Sequence, residues 1–540
     1  MAVPPIQRSP SAAGPRFAWV LDVVLGLLIV AALPLAIISI PNTLSVVARL
    51  LPGDIDQVAL MRTHGLALPA LLLTVPFAAV ALRRFRTAHL VLAGLVLVAA
   101  SDAAGGYAGS EFLVGVVRVV RGVGAGIVLP ATLAAVWDRV PALRALWVGM
   151  FSLSLLVAQA LALWPLDGVS DWKITLQPYP MATGVALALA AAYLVAWMVL
   201  GRAAEPVPGV GERGRLLLAA VPAGGIAVVA ISTATEGWRS VPVIVLAALA
   251  VVGLLALGSF GAPESRMLAC SMVAVGVVLL PSAAQVTLVE MGGLGGPGLR
   301  GLWIPYGVAG VLGVGASVLV RRYARAAGRW LAPLGLSSMV AGLCAVRLLV
   351  PSADGLVLVV PFALMVVGAA VALTSALQEV GIGAAVFGLS LCVAGVLAGF
   401  LLGTGVQMAM FDGVRSAQEL VDGFVGALHW WALIGGFVVV GIIVLASVLG
   451  RRSGESEVAA ADGGSGSGPE MASACDGGAA ELADEDRPTG EVPRVVVPVP
   501  VKGAFGQGEP LPEDEGAADP GGTVPAVPPQ AHSPEDDASS

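Results

Sequence analysis

From Phe17 to Gly450 the chain repeats one pattern, a long apolar run followed by a short polar break. A helix needs roughly 20 mostly apolar residues to cross a hydrocarbon core about 30 Å thick. Fourteen runs reach that length, at 17–40, 61–82, 89–109, 112–136, 143–164, 181–201, 216–235, 241–260, 267–289, 299–320, 331–350, 355–377, 382–408 and 428–450. Each predicts a membrane-spanning helix, because only helices and closed barrels satisfy the backbone inside lipid. The first run follows Arg8 and Arg16, yet it is too long for the apolar core of a signal peptide. No small-x-small cleavage pattern appears before Pro41, so the reading is an uncleaved first span.

The polar breaks carry the orientation. Arginines cluster on alternate loops: Arg83, Arg84 and Arg86 after the second run, Arg139 and Arg144 after the fourth, Arg202, Arg213 and Arg215 after the sixth, and Arg321, Arg322, Arg325 and Arg329 after the tenth. With Arg8, Arg16, Arg266, Arg451 and Arg452 that side holds 17 basic residues against six opposite. The positive-inside rule then places both termini in the cytoplasm, which requires an even number of spans.

The net charge of −7 is the sum of two opposed parts. Residues 453–540 carry −15 and the rest carries +8. That tail is rich in Gly, Ser, Pro, Ala, Asp and Glu, too polar to offset its ordering entropy, and is expected to be disordered. It is also the expected contact for any protein partner.

The chain is 57% hydrophobic and 12% charged, which excludes an ordinary soluble domain. The four cysteines and four histidines are scattered, so neither a disulfide framework nor a metal centre is expected. GVGERG at 209–214 lacks a preceding strand and the Lys-Ser/Thr of a phosphate loop. No cofactor and no nucleic-acid partner are expected, and without convergent catalytic groups neither is an enzyme. Arginine far outnumbers lysine, and Ala, Gly and Val dominate, as in GC-rich bacterial coding. The expected location is therefore the plasma membrane.

Two loops echo one another. LRRFR opens the break after the second run and VRRYAR the break after the tenth. An offset of eight runs fits two six-helix bundles separated by two inserted helices. The domain limits are then a cytoplasmic segment at 1–16, a first bundle at 17–201, a linker with inserted helices at 202–260, a second bundle at 261–450 and the tail at 451–540. The competing explanation is that every cytoplasmic loop of this chain is Arg-rich.

The fourth run contains RVVRGVGAGIVLP at 118–130. A central arginine costs about 2.5 to 3.5 kcal/mol to insert, so Arg118 and Arg121 should face protein or a water-filled cavity. At spacing i, i+3 they share one helix face. Gly122 and Gly126 form G-x-x-x-G, and with Gly124 they suit a close helix neighbour. In the competing account Arg118, roughly 9 Å below the outer edge, snorkels to the surface.

Arg118, Gly122, Gly124 and Pro130 match the R-x-x-Q-G-x-G signature, with its downstream proline, in the fourth span of the major facilitator superfamily. The chain most resembles the fourteen-span drug:proton antiporter branch. LRRFRTAHLVLAG, SDWKITLQPYP at 170–180, EGW at 236–238 and GLWIP at 301–305 resemble other segments of that branch. The resemblance implies an all-α polytopic fold of about 14 helices. It also departs in places: Arg121 stands where the family has glutamine, and the fifth run, GMFSLSLLVAQALALWPL, lacks the Gly-Pro pattern of the antiporters.

Among the acids, Asp22 is the candidate titrating carboxylate, because desolvation in a helix would couple its protonation to a conformational change. An interfacial acid at a helix start is the equal alternative. Glu111, two turns above Arg118, and Glu290, at the outer end of the ninth run, are the better-placed partners for the arginines. Gln159 and Gln285 are candidates for lining a cavity, or else interhelical glue. Arg347 and Glu379 read as interfacial, and MGGLGGPGL at 291–299 as an outer gate or a simple turn.

The resemblance implies a secondary active transporter in which two bundles rock about a central cavity, exporting a small, partly apolar molecule at the expense of a proton gradient. Membrane lipid, a small-molecule substrate and protons are the implied partners. The missing fifth-run pattern supports an alternative, a transporter-like protein that has lost coupling and serves as a binding or regulatory scaffold.

Overall fold

The chain divides into two units, Met1–Gly466 and Ser467–Ser540. The computed structural model describes residues 18–463, apart from 52–55, 168–170, 201–211, 234–237, 262–264, 292–295, 328–329 and 379. The expected disordered tail falls outside the described residues but for its first turns, and so does Glu379.

The described chain is helical, and fourteen helices are long and apolar enough to cross a membrane. Spans one to six are Trp19–Ile37, Gln57–Ala81, Thr87–Gly105, Glu111–Trp137, Pro141–Leu166 and Trp172–Val199. Spans seven and eight are Gly214–Thr233 and Ser240–Gly261. Spans nine to fourteen are Arg266–Met291, Gly298–Tyr323, Leu331–Leu349, Gly355–Ala376, Ile382–Phe411 and Gln418–Val448. This is a multi-pass membrane protein. Because the spans alternate in direction, span one begins and span fourteen ends at the same end, called here the near end.

The spans form two six-helix bundles with two helices inserted between them in sequence. In the first, span four packs on spans two and three, and span one packs on spans four, five and six. In the second, span nine packs on span thirteen, span twelve on spans ten and eleven, and span eleven on span fourteen. Spans five and ten join the bundles along one side, and spans two and thirteen along another. Span seven packs on both spans two and thirteen, while span eight packs on spans thirteen and nine. Spans nine and thirteen are the most enclosed.

Local sequence explains the irregular places. Span two breaks at Gly65 and Leu66 into helices Gln57–His64 and Ala67–Ala81, and Asp56 caps the first by accepting from the Val58 and Ala59 amides. Span fourteen starts ten residues before its expected edge. Ser416 Oγ accepts the Glu419 amide at 3.2 Å and Glu419 Oε2 accepts the Arg415 amide at 2.7 Å, a reciprocal cap that lets an amphipathic turn precede the apolar run. The two echoing loops differ in shape: LRRFR forms a turn, whereas VRRYAR continues the helix of span ten to Ala327.

Candidate functional site

Span four owes its position to its glycines. A methyl group added at Gly122 would collide with the Ala67 carbonyl, and one at Gly126 would lie 2.7 Å from Thr74 Cβ, so this face abuts span two. One at Gly124 would lie 2.7 Å from the Gly94 carbonyl oxygen, so the opposite face abuts span three. Backbone approach on both sides leaves no room for side chains. It also brings the arginines into range of backbone oxygens on neighbouring elements. Pro130 is buried lower in the same helix.

Arg118 is 2% exposed and bonds to backbone alone. Its Nε donates to the His64 carbonyl at 2.7 Å, where the break in span two interrupts the helix ladder. One terminal nitrogen donates to the Ser39 carbonyl at 2.9 Å and the Pro41 carbonyl at 3.3 Å, just past the end of span one. Carbonyls left over at helix ends need partners when buried, and the guanidinium fork supplies them.

Arg121, one turn on, has a side-chain partner. Its Nη1 lies 2.7 Å from Asp102 Oδ1 and 2.7 Å from the Leu176 carbonyl oxygen. Thr183 Oγ1 donates to Asp102 Oδ2 at 2.6 Å. The network thus joins spans three, four and six, with His64, fully buried, beside it in span two. Asp102, His64 and Thr183 are absent from the sequence-based candidates.

The other predicted acids lie elsewhere. Asp22 pairs with Arg139 at 2.7 Å at the near end. Glu111 occupies the first turn of span four, half-buried, and neither arginine bonds to it. Glu290 is fully buried in the second bundle, where its Oε1 accepts the Ser352 amide at 3.0 Å. Arg347 donates to the His429 carbonyl at 3.0 Å, tying span eleven to span fourteen.

A half-open cavity of about 570 Å³ lies toward the far end between the bundles. Gln159 of span five and Gln285 of span nine both line it. So do Asn42, Thr63, Thr404 and Gln407, which sequence reading did not single out, among walls of Leu, Ile, Val, Met and Phe. Among the described lining residues there is no carboxylate, and Arg62 is the one formal charge. Neither Arg118 nor Arg121 lines the cavity. Pro41 does, and its carbonyl accepts from Arg118, so the arginine sits one residue behind the wall.

Such a cavity can hold a drug-sized molecule: it is mostly apolar, with a few convergent amides and hydroxyls to orient a ligand. Spans five and ten close one side of the junction. Gly149 packs on Val314, while at the far end Trp164 meets Trp303 edge-to-face at 4.7 Å and Arg300 reaches Asp167 at 3.3 Å.

This arrangement defines the chain as an all-α polytopic membrane protein of two six-helix bundles around a cavity. Its fold is like that of a solved peptide transporter. No family model and no curated protein matches the sequence. Among solved structures, a peptide transporter, POT, in complex with sulfate aligns with a TM-score of 0.52 at 15% identity, covering 80% of this chain and 95% of that one. The proton:xylose symporter XylE bound to 6-bromo-6-deoxy-D-glucose aligns with a TM-score of 0.48 at 13% identity, covering 79% and 95%.

Proposed function

We propose that this chain is a secondary active transporter that moves a small, partly apolar molecule by alternating access. The observation that carries the reading is the half-open cavity between the bundles, with Gln159 contributed by one bundle and Gln285 by the other. A ligand held by amides from both bundles couples its binding to their relative position. The network around Arg118 and Arg121 lies wholly within the first bundle, and so favours its movement as one body.

The proposal includes export driven by protons, a plasma-membrane location with both termini cytoplasmic, and domain limits at 17–201, 202–260 and 261–450. The drug:proton antiporter branch is supported by the Arg118, Gly122, Gly124, Pro130 signature. Glu290, a buried carboxylate outside the cavity, is the candidate proton carrier of this reading. Reconstitution into vesicles with an imposed pH gradient tests it: uptake or release of a compound from a broad panel, with accompanying proton flux, is expected. Absence of both would refute it.

A second reading has an observation of its own. The cavity lining holds no carboxylate among its described residues, and span five lacks the Gly-Pro pattern, which favours a binding or regulatory scaffold without coupled transport. Removing residues 453–540 separates the two. Undiminished flux makes the tail dispensable, whereas a cellular defect without any measurable flux supports the scaffold.

A further inference from the structure

The polar groups that line the cavity fall into three kinds. Some are already committed. Asn42 donates from Nδ2 to the Met61 carbonyl at 3.0 Å and accepts the Leu44 amide at 3.2 Å, while the hydroxyls of Thr63 and Thr233 donate to the Leu60 and Ala230 carbonyls at 3.0 Å. Others, Thr404 and Gln407, are exposed or half-buried, where solvent can satisfy them. The third kind is buried and uncommitted. Gln159, 5% exposed, lines the cavity, and among the described residues none bonds to its amide. Gln285, 8% exposed, has no partner for Oε1, and its Nε2 rests over Gly403, where an added methyl group would come within 2.5 Å. Arg62 is engaged in an interaction of its own.

A polar group left unpaired in an apolar enclosure is costly, so a ligand that pairs with it is favoured over one that does not. Whichever way it is turned, a glutamine amide presents an acceptor beside donors. Its complement is a group of the same kind, a carboxamide or lactam edge, which closes two parallel N–H···O bonds at once. A carboxylate offers acceptors alone and sets its charge against the glutamine oxygen, and an ammonium offers donors alone. A charge would also leave water for walls of Leu, Met and Phe, with no described carboxylate in the lining and Arg62 already engaged. Those same walls take an apolar body.

We propose that the cavity binds an uncharged, partly apolar molecule bearing a carboxamide or lactam edge, and that Gln159 is the residue that recognises that edge. This names the substrate class of the site on which the transport reading rests, and it depends on that reading for its purpose, but its test is binding rather than flux. Four congeners share a biphenyl body: biphenylacetamide, its N,N-dimethylamide, biphenylacetate and biphenylethylammonium. Each is titrated calorimetrically at neutral pH into the protein in phosphatidylcholine nanodiscs, with protein-free nanodiscs as the blank.

The primary amide should bind about tenfold tighter than the dimethylamide, which keeps the carbonyl and the body but has no N–H to give. Both charged congeners should bind more weakly than the primary amide. Gln159→Met, close in volume and without an amide, should bind the primary amide and the dimethylamide alike, and its retained dimethylamide binding shows that the cavity is intact. Should that variant fail to fold, the wild-type series decides by itself. A dimethylamide or a charged congener that binds the wild-type protein as tightly as the primary amide, a Gln159→Met variant that keeps the tenfold preference, or no binding by any of the four, overturns the proposal. Amide-selective binding by a protein that moves none of these compounds across a vesicle membrane would defeat the transport reading and leave the ligand class standing, whereas flux without amide selectivity would do the reverse.

Discussion

Arg121 and Asp102 meet at 2.7 Å with side chains 1% and 4% exposed, and the second carboxylate oxygen is held by Thr183. The pair is enclosed by protein on spans three, four and six, while Arg118, one turn away on span four, bonds to backbone carbonyls.

Removing one member of such a pair leaves the other charge buried and unmatched. Asp102→Ala is expected to destabilise the protein by about 3 to 5 kcal/mol. Asp102→Asn keeps an acceptor for Thr183 and should cost less. The double variant Asp102→Leu with Arg121→Met should recover much of the loss, since no charge is stranded. Thermal unfolding of the detergent-solubilised protein, followed by intrinsic tryptophan fluorescence, measures all three. A double variant no more stable than Asp102→Ala would show that the pair does not act as a unit.

The fourteen helices were legible because a twenty-residue apolar run has few structural outcomes in lipid. The glycines beside Arg118 pointed to a close approach, and the contacts of Gly122, Gly124 and Gly126 show which helices approach. The partner of Arg121 was not legible. Asp102 is a lone acid in the third run, and its one signal was that it had no apparent reason to be there. Choosing among Asp22, Glu111, Glu290 and Asp102 required knowing which helices are neighbours, and sequence order does not give that. The break at Gly65 was hidden for a similar reason, since a glycine inside an apolar run is compatible with an unbroken span. The cavity lining was half legible: Gln159 and Gln285 stood out as polar residues in apolar runs, while Asn42 and Thr63 lay at edges where polarity is ordinary.

Arg118 should resist even a conservative change. Its fork reaches three carbonyls on two segments, and lysine offers a point charge on a narrower reach. Arg118→Lys is expected to lower the unfolding temperature, and Arg118→Ala to lower it further, each carbonyl left without a partner costing about 1 to 3 kcal/mol. Both variants should still insert, which surface labelling of intact cells verifies. Equal stability of Arg118→Lys and the parent would mean that the three carbonyls need only charge.

Asp22 and Arg139 offer a contrast, since their side chains are 20% and 24% exposed. A partly solvated pair is worth about 0 to 1 kcal/mol. Asp22→Asn should therefore shift the unfolding temperature little, and the shift should shrink with added salt. If Asp22→Asn abolished proton flux while stability held, the carboxylate would have a role in coupling beyond this ion pair.

Glycine positions separate packing from mere flexibility. Gly122→Ala and Gly126→Ala each push a methyl into span two and should cost about 1 to 3 kcal/mol as overpacking. Gly225→Ala in span seven meets nothing within 4 Å and should be neutral or slightly stabilising. Comparing unfolding temperatures of the three variants checks this, and a destabilised Gly225→Ala would place an unrecognised contact on span seven.

The far end of the junction gives the most direct mechanical test. Asp167 follows span five and Arg300 opens span ten, so their 3.3 Å contact crosses between bundles, with Trp164 against Trp303 beside it. The ion pair is 60% and 85% exposed, and its own energetic contribution is small. Its position is what matters, because alternating access requires the bundles to part at one end while they close at the other. A short bifunctional thiol reagent joining Asp167→Cys to Arg300→Cys should stop flux, and a reducing agent that cleaves the link should restore it. Each single cysteine variant should tolerate the reagent. Undisturbed flux in the linked protein would mean that spans five and ten do not separate at the far end during the cycle, and rocking about the cavity would have to be abandoned.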